Sequence, residues 1–100
     1  MIDLSPVHYE TVKNILLKIV PEADVFIFGS RTTSCAKVHS DLDLAIKANE
    51  AIAKNIMRNL RIAFEDSDLP FRVDVVDLTT VNEPFKEIIK NQAVRFLREE

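Results

Sequence analysis

Three clusters of residues in this chain have types and spacings that could do chemistry on a phosphate. The first is Gly29-Ser30-Arg31, directly after an apolar run. The second is Ser40-Asp41-Leu42-Asp43, at the start of the next apolar run. The third is Asp74 inside a later run, with Asp77 three residues on as a competing acid. On an extended strand, residues i and i+2 point the same way. Asp41 and Asp43 therefore project from one face, while Leu42, Leu44 and Ile46 face a core. Two carboxylates this close repel, and a divalent cation relieves the repulsion. Magnesium takes oxygen ligands and keeps several waters, which leaves positions for phosphate oxygens. If Asp74 lies on a neighbouring strand, three carboxylates suit two ions, which can hold the attacking and leaving oxygens of an in-line displacement. Gly29 is the only glycine in the chain, and the missing Cβ lets the backbone approach a phosphate closely. If Ser30 and Arg31 open a helix, their N–H groups point at the same phosphate. Each piece alone has a plainer meaning: a turn, a charged strand edge, an exposed acid. It is their conjunction that points to a metal-assisted phosphoryl site.

The elements that must position these residues are legible in outline. Ser5 is a good N-cap and Pro6 suits the first helical position. Tyr9, Val12, Leu16 and Ile19 then share one helical face, and Pro21 ends the helix. Residues 24–28 form a short β-rich run, read as a buried strand. Residues 31–40 are polar, either a short helix or a loop. Residues 42–46 read as the second strand. A second helix is expected over about 50–64, with Ile52, Ile56, Leu60 and Ala63 as its apolar stripe, joined by Met57 and Phe64. The third strand is expected over 71–78. A last helix begins near Pro84, turns Phe85, Ile88 and Ile89 inward, and closes at Asn91. Residues 93–97 read as a short final strand. Strands and helices alternate, so the expected class is α/β or α+β, a small mixed sheet flanked by helices.

Size and composition bound what such a site can belong to. One hundred residues make one domain, 1–100, with a modest core. Nothing is left for a substrate-binding lobe, so another molecule is expected to supply part of the substrate site. A net charge of −3 argues against direct nucleic-acid binding. It does not exclude a nucleotide, because metal ions bring positive charge. The single cysteine, Cys35, forms no internal disulfide and has no evident base beside it. No run is apolar and long enough to span a bilayer, and the N-terminus lacks a signal-peptide pattern. A cytoplasmic protein is the expectation.

The combined motif resembles the signature of the nucleotidyltransferase superfamily related to DNA polymerase beta. Phe28-Gly29-Ser30-Arg31 is followed, after residues 32–39, by Ser40-Asp41-Leu42-Asp43-Leu44. Arg72-Val73-Asp74-Val75-Val76-Asp77-Leu78 is similar to the strand that carries the family's third carboxylate. The short length points to the MNT-type minimal nucleotidyltransferases, and the likeness covers nearly the whole chain. The resemblance implies the polymerase beta-like nucleotidyltransferase fold. It also implies a division of labour: Gly29 and Ser30 to the triphosphate, with Arg31 beside them, and Asp41, Asp43 and Asp74 to two magnesium ions. Asp74 is preferred to Asp77 as the earlier, mid-strand acid. It lies on the aspartate face only if the strands pair in that register. Many relatives carry a glycine where this chain has Ser34.

The resemblance further implies transfer of a nucleotide, AMP from ATP or another triphosphate, to a tyrosine of a small helical HEPN-type toxin, the chain acting as antitoxin. The alternative is a binding module of the same fold that neutralises its partner by contact, with weak or lost catalysis. Closely spaced acids favour the enzyme, since a pure binder has no need of them. Modification of a small molecule such as an antibiotic is the third reading, disfavoured because such proteins carry an added domain.

Overall fold

The structure, a computed structural model, describes residues 4–29 and 41–97. Its order is α1 (Pro6–Ile19), β1 (Asp24–Phe28), β2 (Leu42–Lys47), α2 (Lys54–Glu65), β3 (Val73–Asp77), α3 (Glu83–Gln92) and β4 (Val94–Leu97). The strands form one sheet in the order β3-β2-β1-β4. β1 runs antiparallel to β2 and β4, and β2 runs parallel to β3. A parallel pair cannot close through a tight turn, and α2 is the crossover that joins it.

Strand alternation gives the sheet two different faces. On one face Val25 and Ile27 pair with Ile46 and Leu44, and Leu42 and Leu44 pair with Val73 and Val75. These residues are buried against Val12 and Leu16 of α1 and Met57, Leu60 and Phe64 of α2, forming the core. The other face carries Phe28, Asp43 and Asp74 and is partly covered by α3, through Phe28 against Phe85. Ala45 is fully buried there as well.

Several boundaries differ from the sequence reading, each for a local reason. α2 starts at Lys54 rather than near residue 50, because Asp77 holds the preceding segment out of the helix. Its Oδ2 accepts the Ile52 N–H at 2.7 Å. α3 runs through Asn91 to Gln92 and stops at Ala93 in an extended conformation, so no left-handed residue closes it. Only Ile89 of its apolar residues is buried. Phe85 and Ile88 are 36% and 52% exposed, Phe85 meeting the sheet only through Phe28 among the described ring contacts. α1 begins as expected, with the Ser5 hydroxyl accepting the His8 N–H, and the final strand is present.

Asp77 is the one buried charged residue among those described. Its Oδ1 accepts the Thr79 N–H at 2.9 Å and the Thr79 hydroxyl at 2.6 Å, alongside the Ile52 N–H on Oδ2. Burial pushes its carboxyl up, but the Thr79 hydroxyl and the Ile52 and Thr79 amides outweigh that and hold it below the usual range. A lowered folded value means stability that is present above the unfolded value and lost as pH falls through the folded one. Asp77→Ala should therefore cost about 1–3 kcal/mol at neutral pH. The gap from wild type should close as pH is lowered below about 4. Denaturant melts of both proteins across pH check this, and a pH-independent gap would refute the charge-based account.

Candidate active site

The sheet brings two of the three expected carboxylates into direct register. Asp43 pairs with Phe28 on one side and with Asp74 on the other. The condition attached to Asp74 is thus met: it shares the face of Asp43, away from the core. Asp77 falls on the opposite face, opposite Ile46, with its oxygens engaged by Ile52 and Thr79. Asp41 sits one residue before β2, two before Asp43, half exposed at the same end of the sheet.

Gly29 follows β1 at once and adopts φ +82°, in the left-handed region that glycine tolerates best. A Cβ built on it would collide with the Asp43 carboxylate, with Cγ at 3.3 Å. The glycine therefore makes room for an acid. Its N–H donates to Gln92 Oε1 at 3.0 Å, which ties the end of α3 to this turn. Ser30 and Arg31 lie outside the described residues, as do Ser34, Cys35 and His39.

The electrostatics are those of crowded acids. The Asp43 carboxyl is held above its ordinary range, first by burial, then by the charges of Asp74 and Asp41, with Arg72 pulling the other way. Arg72 is two residues before Asp74 and shares its face. Its guanidinium reaches Asp41 Oδ2 from Nη2 at 3.1 Å and Asp74 Oδ1 from Nε at 3.5 Å. Among the described residues no three acidic, histidine or cysteine side chains converge into a ready-made cage, and Arg72 lies between two of the acids. The chemistry of the set nonetheless suits a hard divalent cation, being three carboxylates at one end of the sheet against a single guanidinium. Sequence reasoning missed Arg72 and Gln92 as site residues. Strand alternation relative to Asp74 could have flagged Arg72, but nothing local marks Gln92.

Comparisons with known proteins give the family. The profile of the family described as "Polymerase beta, Nucleotidyltransferase" matches residues 10–100. The chain is 44% identical over 89 residues to the Haemophilus influenzae protein named "Probable protein adenylyltransferase MntA", spanning 89% of this chain and 78% of that one. In fold it resembles a chain of a toxin–antitoxin crystal structure with AMP-PNP: TM-score 0.77, 20% identity, 92% of this chain and 74% of the other. It also resembles a chain in the complex of tri-AMPylated Shewanella oneidensis HEPN toxin with MNT antitoxin: TM-score 0.68, 19% identity, 89% and 68% covered. The chain belongs to the polymerase beta-type nucleotidyltransferase family, among its MNT-type minimal members. No helix among the described residues is long and apolar enough to cross a membrane.

Proposed function

We propose that this nucleotidyltransferase transfers AMP from ATP to a tyrosine hydroxyl of a HEPN-type toxin and thereby acts as its antitoxin in the cytoplasm. The observation that carries this reading is the register of Asp43 with Asp74 beside a glycine turn shaped around the Asp43 carboxylate. The partner and the nucleotide follow from likeness to the H. influenzae protein and to toxin–antitoxin chains.

Asp41, Asp43 and Asp74 would hold two magnesium ions. Bound there, the ions neutralise phosphate charge and stabilise the leaving pyrophosphate. The protein's own groups do the rest. Gly29, Ser30 and Arg31 bind the triphosphate. The acceptor oxygen bonds the α-phosphorus, the bond from that phosphorus to pyrophosphate breaks, and pyrophosphate leaves. Asp74, the most exposed strand acid of the set, takes the hydroxyl proton.

Two measurements test this. Magnesium with a non-hydrolysable ATP analogue should raise the melting temperature, since a ligand of the folded state stabilises it. Incubation with the helical protein encoded beside it, ATP and magnesium should add AMP mass to that protein, located by fragmentation to a tyrosine. No added mass with any triphosphate would favour neutralisation by contact instead.

A further inference from the structure

The cation already inside the carboxylate cluster is Arg72. One planar guanidinium reaches both acids, Nη2 to Asp41 and Nε to Asp74, at 3.1 and 3.5 Å. These are two of the three acids assigned above to metal, so the inference rests on that assignment. Each contact engages one oxygen of its carboxylate, so a divalent ion seated between these acids would meet the guanidinium's positive charge at close range and compete with it for their negative charge. Arg72 is 71% exposed, so neither packing nor burial fixes it, and it can swing away at little cost.

We propose that Arg72 is an internal counter-cation that competes with metal for Asp41 and Asp74 and yields when a triphosphate arrives. Metal binding is then an exchange. Without nucleotide, the ion must displace Arg72 and gains little. With nucleotide, the phosphates give the displaced guanidinium a new anionic partner. Metal and triphosphate therefore bind with positive coupling, and by linkage each raises the affinity of the other equally. The arrangement keeps the acids paired between turnovers and discourages metal loading without substrate.

The test is Mn²⁺ titration by paramagnetic resonance or calorimetry, with and without a non-hydrolysable ATP analogue. Arg72→Ala should bind Mn²⁺ about three- to tenfold more tightly than wild type when no nucleotide is present. Arg72→Lys, which keeps the charge but not the fork, should fall between. Lys47→Ala removes the same charge from the far end of β2 and should change nothing, which separates local competition from net charge. The gain in Mn²⁺ affinity on adding the analogue should shrink in Arg72→Ala. Wild-type binding with no tightening in Arg72→Ala, or equal tightening in Lys47→Ala, overturns the role of Arg72 and leaves the metal site standing. Failure of wild type to bind Mn²⁺ even with the analogue, or equal binding by Asp43→Asn, overturns the metal site and this inference together.

Discussion

Asp43→Asn should abolish transfer, by on the order of a thousandfold or more, while making the metal-free protein more stable. The loss follows from its place. Asp43 is in register with Asp74 and adjoins the Gly29 turn, so no other side chain can take over its oxygens. If Asp43 holds metal as proposed, losing its carboxylate forfeits several kcal/mol of charge stabilisation in the transition state. The stability gain follows from the raised carboxyl. A raised folded value means stability that is full below the unfolded value and is lost as pH rises through the folded one. The mutant should therefore melt above wild type at pH 7 by about 1–4 °C without metal, after solvent screening is allowed for. The difference should vanish below about pH 4. In the presence of magnesium and nucleotide the order should reverse, because only wild type gains from the ligand. The gain is expected at Asp43 rather than Asp41, because Asp41 has Arg72 as a partner. Equal melting of mutant and wild type at pH 7, or retained transfer, would sink the assignment.

Gly29→Ala carries the second large effect, and it divides between stability and activity. At φ +82° an alanine costs about 1–2 kcal/mol. The new Cβ also collides with the Asp43 carboxylate. That collision is with the end of a side chain, so the fold can escape it by rotating Asp43. The escape displaces the oxygens proposed to hold metal. A misplacement of about 1 Å is enough to cost roughly a hundredfold in rate. The mutant should fold, melt modestly lower, and lose at least that much transfer. A double-mutant cycle with Asp43→Ala isolates the collision: in that background Gly29→Ala should cost only the backbone strain. An identical cost in both backgrounds would mean that the Asp43 contact contributes nothing.

How much of this was legible in the residues alone can be argued element by element. The strands 24–28 and 42–46 were legible because short β-rich runs next to Gly29 and Asp41 have few other readings, and both stand within one residue in the structure. Asp41 and Asp43 sharing a face follows from the pleat alone. That Asp74, not Asp77, meets them needed the register between β2 and β3, which no local pattern encodes. The start of α2 was misjudged because Asp77, 25 residues downstream, captures the Ile52 amide. Phe85 and Ile88 were expected inside because periodicity marks an apolar stripe, not the area available to cover it. The assignments to Ser30 and Arg31 fall outside the described residues and stand as proposals.

The parallel pairing of β2 with β3 also governs when the site comes into being. Arg72 and Asp41 touch across 31 residues of chain, with the whole of α2 in between. Such a contact forms only after the intervening loop entropy is overcome, which makes it slow relative to local structure. During synthesis the ribosome delivers Asp41 and Asp43 well before β3 exists. A nascent chain stopped ahead of residue 72 would hold two repelling acids with neither Arg72 nor Asp74 to complete the cluster. Competence for chemistry is thus tied to completion of the sheet.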